Sequence, residues 1–561
     1  MDLILAVIPV ELSASDDQGY ENHISNGNGN GNGDSQTSAS AHFFPLRAPA
    51  SFQTSPYLGV ANSISTMETH FGNLPMRLCG VLVPSLPSFD FLNSTTFWAY
   101  LFWILWLHRY VRLLVHCLSH WTYKSKPLPA NPKYTNQDVT VVVPTIHDNP
   151  EELKPSLRSL LACNPACLYL VTPYDKFEAL KKAAEQLGVE NVQVLSNTIA
   201  NKRRQLCEAI PSIETPITVL ADDDVTWPSK MLTYLLAPFE DDKMGGVGSC
   251  QRVKRVWYEP WSTRIWNWLG AAYIERRNFE ITATHNIDGG TSCMSGRTVA
   301  YRTEILKGHD FLSEFQNEKW GEGTLNTDDD NFITRWLVKN RWKTWIQYDP
   351  ECELETTLEN SMELFVLQCI RWARSNWRSN WTSLFIEGHV WKQQMWCTYA
   401  LHIATFTSLA FLVDPLLLLS CWQATADWDT AQRERAFWAQ FIFMFGFTKV
   451  VKLVGLFKRN PSDIVFLPVS IIFGYFHGLI KIYALLTLRT TTWGSRPDGD
   501  TNNDSRLQPL PRPSEYVASP KTKEHSDLTA SSASGISDGF KIRQKVWGFL
   551  TRNQPEDLGK I

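Results

Sequence analysis

From Phe91 to Leu107 the chain reads FLNSTTFWAYLFWILWL without a charged residue, then meets His108, Arg109 and Arg112 before a second apolar run, LLVHCLSHW. A stretch of this length and apolarity is about what a helix needs to cross a hydrocarbon layer. Residues 91–122 are therefore expected to form a transmembrane helix. Arg109, Arg112, Lys124 and Lys126 bias its C-terminal side towards the cytosol, because basic flanks stay on that side of a bilayer. Three further apolar stretches follow in 391–496. Trp396–Trp422 and Ala436–Phe457 are each long enough to cross, whereas Ile464–Leu488 is interrupted by Pro468, Gly474, His477, Gly478 and Lys481. A full third crossing would leave everything beyond Leu488 outside, and a re-entrant segment would keep it inside. Irregular backbone is tolerated at membrane depth where it meets protein or a cavity, and the re-entrant alternative is favoured. The 23 Trp and 29 Phe are clustered, as expected of a chain that sits partly in lipid.

The stretch 123–390 has a different texture. Apolar, β-rich runs at Val139–Pro144, Cys167–Pro173, Val192–Leu195 and Pro216–Ala221 alternate with the helical patterns EELKPSLRSLLAC and KFEALKKAAEQLG. That order predicts an α/β domain with a parallel sheet and its ligand at the carboxyl ends of the strands. Residues 1–90, with the run NGNGNGNG, and the Ser- and Pro-rich 497–561 are expected to be disordered. One basic amphipathic patch, Phe540–Arg552, suits either a membrane surface or a solvated helix. With a net charge of -4 and no basic tract, a nucleic-acid partner is not expected. The 11 cysteines contain no CxxC pair, so neither a zinc site nor a disulfide framework is indicated.

Two acidic clusters stand where chemistry is expected. Asp222, Asp223 and Asp224 directly follow the run ending at Ala221. Asp222 and Asp224 could present two hard oxygen ligands to Mg²⁺ or Mn²⁺ while substrate phosphates fill other positions. The cluster TDDDN, Thr327–Asn331, precedes an amphipathic run. Acids there can cap a helix and complement its dipole, or one of them can take a proton from an incoming hydroxyl. Lys202, Arg203 and Arg204 are candidates to meet a diphosphate, with an exposed basic helix start as the plainer alternative. After Pro260, the stripe Trp261, Ile265, Trp268, Leu269 and Ala272 suits an interfacial or a core-facing helix. In Gln368–Trp381, helical spacing gathers Gln368, Arg371, Trp372 and Ser375 on one side and turns Cys369, Ile370 and Trp377 elsewhere. An amide, a guanidinium and an indole suit a sugar and a diphosphate. They equally suit a membrane-surface helix.

This order of motifs resembles the processive membrane glycosyltransferases of family 2, the group of hyaluronan, cellulose and chitin synthases, and especially hyaluronan synthases and fungal type 2 glycosyltransferases. The resemblance runs from about Asp138 to Arg496. It implies a GT-A-like nucleotide-sugar-binding domain with a mostly parallel sheet, embedded between transmembrane helices and facing the cytosol, in an integral protein of the plasma membrane. VPTIHD stands where that family contacts the uridine, which implies donor-binding roles for Pro144, His147 and Asp148 beside Lys202, Arg203, Asp222, Asp223 and Asp224. SGRTVAYR matches an acceptor-side motif through Ser295, Gly296 and Arg302. The family's Glu-Asp pair falls on Asp329 and Asp330, with Asp330 the general base. QxxRW falls on Gln368, Arg371 and Trp372 at the acceptor site, and WGSR, at Trp493, Gly494, Ser495 and Arg496, matches a gating element. The implied reaction is inverting transfer from a UDP-sugar to a growing polysaccharide. The alternatives are single transfers to a lipid or protein, or an inactive scaffold. The lipid bilayer is one expected partner, and a homo-oligomer is a candidate for completing a translocation channel.

Overall fold

The computed structural model describes residues 94–147, 149–186, 191–197 and 200–491. The 1–90 region, Asp148, Trp493–Arg496 and the 497–561 tail with its Phe540–Arg552 patch lie outside the described residues.

Seven strands build the main sheet: β1 (Val139–Pro144), β2 (Cys167–Pro173), β3 (Val192–Asn197), β4 (Ile217–Ala221), β5 (Met244–Ser249), β6 (Thr298–Arg302) and β7 (Lys343–Gln347). Their order across the sheet is β7-β5-β6-β4-β1-β2-β3. Every residue of β1 and β4 is buried, which is why these runs read as continuously apolar: helices cover both faces. On one face Leu153, Leu157 and Leu160 of the helix Pro150–Leu161 pack against Val141, Val143 and Val219. Each such leucine contributes roughly 1.5–3 kcal/mol by leaving water. On the other face Leu206, Ile210, Phe311, Phe315 and Phe332 close a second core. β1 runs parallel to β2 and β4, and β2 runs parallel to β3. The carboxyl ends of these four strands therefore share one edge. β6 is reversed against both β4 and β5, with Thr298 opposite Ala221 and Arg302 opposite Ile217. A small second sheet joins Leu354–Thr356 to Val225–Thr226 and Gln251–Val253.

Seven helical elements matter for the site: α1 (Thr95–Thr122), α2 (Lys202–Ala209), α3 (Trp261–Asp288), α4 (Asp329–Lys339), α5 (Met362–Trp381), α6 (Thr430–Arg459) and α7 (Leu467–Leu486). α1, α6 and the run Pro461–Leu486 are each long and apolar enough to cross a membrane. A fourth candidate, Met395–Thr407 with Ala410–Ala424, is bent by 89° at its break. The proline and glycines of Ile464–Leu488 leave Leu467–Leu486 one continuous helix, and the bend falls in Trp396–Trp422. Pro468 lies at the start of α7, where a missing N–H costs nothing. Gly478 sits where the helix meets Phe411, and a Cβ there would lie 2.5 Å from Phe411 Cδ1.

α7 is nevertheless held by the sheet-bearing domain at both ends. Arg255 grips Asp463 at 2.8 and 3.2 Å. Past the other end, Arg378 Nη1 donates to the carbonyls of Leu488 (3.3 Å) and Thr490 (3.0 Å). In between, Trp377 Nε1 donates to Lys481 O at 2.9 Å. By contrast, the far end of α1 meets the connection before α6, where Thr95 Oγ1 donates to Asp427 Oδ2 at 3.0 Å. Trp268, Leu269 and Ala272 of α3 pack with Phe365, Cys369 and Ile370 of α5 and Ile480 and Ala484 of α7. These helices form a layer beneath the sheet's carboxyl edge.

Candidate active site

The strand ends and the helical layer enclose a cavity of about 720 Å³. Pro144 at the end of β1 and Asp222, Asp223 and Asp224 after β4 form part of its wall. α2 begins beside them. Its N-cap, Asn201, accepts from Arg204 N at 3.2 Å, and this start aims Lys202 across the cleft. Lys202 Nζ meets Asp222 Oδ1 at 2.7 Å and Asp329 Oδ2 at 3.1 Å. Burial acts to lower the lysine's pKa, but the carboxylates of Asp222, Asp329 and Asp330 outweigh it and hold the ammonium well above its ordinary range.

The acidic turn after β4 divides its labour. Asp223 is buried and accepts from Thr145 Oγ1 at 2.7 Å, with His147 Nε2 3.5 Å away. It fastens the turn that follows β1. Asp224 Oδ2 accepts from Thr357 Oγ1 at 3.0 Å, on the residue that follows the Leu354–Thr356 strand of the small sheet. Asp222 and Asp224 both face the cavity, and carboxylate oxygens suit Mg²⁺ or Mn²⁺. Among the described residues no three His, Cys, Asp or Glu side chains are grouped to enclose a metal. The donor set therefore fits a cation shared with substrate phosphates, with Lys202 as the competing charge on Asp222.

α4 presents Asp329 and Asp330 in its first turn. Asp330 Oδ2 accepts from Gly296 N at 3.2 Å and Oδ1 from Asn331 N at 2.8 Å. Burial raises its pKa first and the Asp329 charge raises it further, against the opposing pull of Lys202. Gly296 sits against these groups, and a Cβ there would lie 3.3–3.5 Å from Lys202 Nζ, Asp330 Cβ and Asp329 Oδ2.

α5 supplies the opposite wall with Gln368, Arg371, Trp372 and Ser375. Its other face, with Cys369, Ile370 and Trp377, is buried in the apolar cluster. Gln368 Oε1 is buried and has no hydrogen-bond partner among the described residues. The Trp372 ring lies 5.0 Å from that of Tyr273, and the Arg297 guanidinium lies 5.6 Å from its centroid. Asn331 Nδ2 donates to Ser375 Oγ at 2.8 Å, locking α5 to α4.

Of the residues expected at the site, His147, Arg203, Arg204 and Arg302 do not line the cavity, and two of them show why. Arg203 is fully buried and donates to Phe315 O (2.8 Å), Glu318 Oε2 (2.6 Å) and Thr327 O (2.8 Å). It faces the core, a helical step of about 100° away from Lys202. Arg302 ends β6 at the opposite edge of the sheet, donating to the carbonyls of Met244, Phe239 and Asp241 and to Tyr134 Oη. The reversal of β6 explains this: Ser295 and Gly296 reach the cavity before the strand begins, and Arg302 leaves it.

Sequence reasoning passed over Arg297, which lies inside the SGRTVAYR motif. Its side chain lines the cavity and donates Nη1 to Ser295 Oγ at 3.0 Å and Gln251 Oε1 at 3.1 Å. Burial lowers its pKa, opposed by Asp224 and Asp222. Also unforeseen is how far the cavity extends. Its lining continues to Arg112, Arg276, Lys449 and Lys452 among the apolar helices. Glu280 there accepts from Lys452 and pairs with His116 Nδ1 at 2.6 Å.

A mostly parallel α/β sheet that brings a lysine and two acidic clusters to its carboxyl edge defines a domain of the nucleotide-binding transferase type. Residues 136–375 match the model of the glycosyltransferase-like family 2. A type 2 glycosyltransferase of Gibberella zeae is 66% identical over 452 residues, 81% of this chain and 86% of the relative. One of Zymoseptoria tritici is 46% identical over 74% of this chain and 87% of its own length. A hyaluronan synthase of Streptococcus pyogenes is 21% identical over 66% of this chain and 85% of its own length. The chain belongs to the family-2 glycosyltransferases and uses a nucleotide-sugar donor.

Proposed function

We propose that the protein is a membrane-bound inverting glycosyltransferase that draws on a UDP-sugar, with Mg²⁺ or Mn²⁺, to elongate a polysaccharide processively from the cytosolic face of the plasma membrane. The observation that carries this reading is the convergence of Asp222, Asp224, Lys202, Asp329 and Asp330 opposite Gln368, Arg371 and Trp372 in one cavity. In this arrangement Asp222 and Asp224 would hold a divalent cation beside the donor. The cation, when bound, supplies Lewis-acid stabilisation of the departing nucleotide.

Asp330 takes the proton of the acceptor hydroxyl as its oxygen attacks the anomeric carbon and the bond to the diphosphate breaks. A carboxylate raised above its ordinary range is the stronger base for that step. Lys202, Arg297 and Arg371 offset charge growing on the leaving nucleotide. Trp372 stacks the terminal acceptor sugar, and the unpartnered Gln368 Oε1 accepts from one of its hydroxyls. The helical layer supplies the membrane seat, and the extension of the cavity into it gives a long acceptor room behind the reacting end.

A donor panel on purified membranes, with metal added or chelated and product size measured, tests the whole reading. Nucleotide release that needs the metal and a long product are expected. Single additions would reject processivity. Asp330→Asn should lower kcat by roughly 10²–10⁴-fold with donor binding intact, and normal synthesis by that variant would sink the assignment of the base.

A further inference from the structure

Asp328, immediately before the two carboxylates of α4, has φ 66° and ψ 23°. Residues other than glycine adopt this left-handed conformation rarely, aspartate and asparagine most often among them, and here the side chain is pinned from outside the turn. Its carboxylate does not cap α4. Both oxygens are taken by Arg378 of α5, Nε to Oδ2 at 2.8 Å and Nη2 to Oδ1 at 3.1 Å. The same guanidinium donates Nη2 to Thr327 Oγ1 at 3.3 Å and Nη1 to the Leu488 and Thr490 carbonyls. All three of its nitrogens are engaged, and the side chain is 3% exposed. From the other side Arg203 holds the Thr327 carbonyl through Nε and Nη2. The turn that presents Asp329 and Asp330 is thus clamped between two buried arginines, one from α2 and one from α5.

The two clamps differ in what lies behind them. Arg203 is anchored in the core, on Phe315 and Glu318. Arg378 is anchored on the chain that leaves α7. Arg374 Nε steadies that segment by donating to Thr487 Oγ1 at 3.0 Å, and Thr491 is buried beside Gly323.

We propose that Arg378 is a positioning residue that makes the placement of Asp329 and Asp330 depend on the docking of residues 487–491 against α5. When the segment is docked, its carbonyls and Asp328 share one planar guanidinium and the left-handed turn is fixed. When it lifts, Arg378 loses both carbonyl acceptors of Nη1, and its hold on Asp328 and Thr327 through Nε and Nη2 is no longer braced from behind. The carboxylates then shift relative to Lys202. A displacement of about 1 Å in a reacting group is enough to cost about 10²-fold in rate.

This inference rests on Asp330 being the base, and the experiment separates the two claims. Arg378→Gln and Arg378→Lys are made in the full chain in membranes, with Asp330→Asn alongside. Arg378→Gln is expected to lower kcat about 10²-fold, leaving donor KM and donor binding within about twofold. Arg378→Lys should fall between, because an ammonium cannot hold both oxygens of Asp328 and two carbonyls at once. Thr487→Val, which removes the hydroxyl held by Arg374 and touches no catalytic group, should lower kcat several-fold alone and add nothing in the Arg378→Gln background. Wild-type kcat in Arg378→Gln would overturn the proposal, as would independent, additive effects of Thr487→Val. Donor binding lost in step with kcat in both Arg378 variants would assign the residue to fold maintenance alone. Activity retained by Asp330→Asn would instead refute the choice of base.

Discussion

Arg203 sits next to a residue at the site and is itself part of the core, so Arg203→Met separates two accounts of the basic pair. The substitution preserves bulk and removes the guanidinium that serves Phe315 O, Thr327 O and Glu318. Glu318 keeps its pairing with Arg335, which limits the damage, but two buried carbonyls lose their donor. Breaking a buried charged pair from one side costs about 3–5 kcal/mol, and the surviving Arg335 contact argues for the lower end. For a domain of this size each kcal/mol moves the melting temperature by about 2–4 °C. A fall of roughly 10 °C is therefore expected in detergent-solubilised protein. Below the transition, donor KM should stay within about twofold of wild type, while kcat falls because Thr327 loses its clamp. A tenfold rise in donor KM with an unchanged melting temperature would refute this and return Arg203 to the diphosphate.

Two further expectations concern the cavity. On the proposed role of Asp330 the base must be ionised, and burial together with Asp329 raises its carboxyl, so the acid limb of kcat should lie above the ordinary carboxylate range. Asp329→Asn removes one of the raising charges and should move that limb to lower pH, and a limb that stays or moves up would contradict the arrangement. On α5, Trp372 faces the cavity and Trp381 is 47% exposed beside Phe385. Trp372→Ala should therefore reduce transfer several-fold to about tenfold more than Trp381→Ala, the worth of one well-placed aromatic contact. Equal effects would make α5 an ordinary surface helix.

Much of this was legible because the signals were local. The runs Val139–Pro144 and Ile217–Ala221 are apolar without alternation because both faces are covered, and spacing within Gln368–Trp381 separated the cavity side from the packed side. What escaped depended on direction or on distant partners. Lys202 and Arg203 are chemically alike, and only the rotation of α2 sends one to the cleft and the other to Glu318. Arg302 belongs to a motif whose beginning reaches the cavity, yet the reversal of β6 carries its end to the far edge. Arg297 lay unmarked in the same motif, since its importance comes from neighbours on two other elements. Ile464–Leu488 reads as irregular from its glycines and proline, which weaken a helix only where packing does not restore it. Pro468 stands at a start, and Gly478 serves a close crossing with Phe411.

The anchoring of α7 at both ends makes it a strap and not a free-standing rod. Its approach is fixed where Arg255 grips Asp463, and its exit where Arg378 holds the Leu488 and Thr490 carbonyls. Twenty helical residues separate these two ties, a span of about 30 Å. A helix tied at both ends cannot tilt against the sheet-bearing domain without breaking one of the two holds.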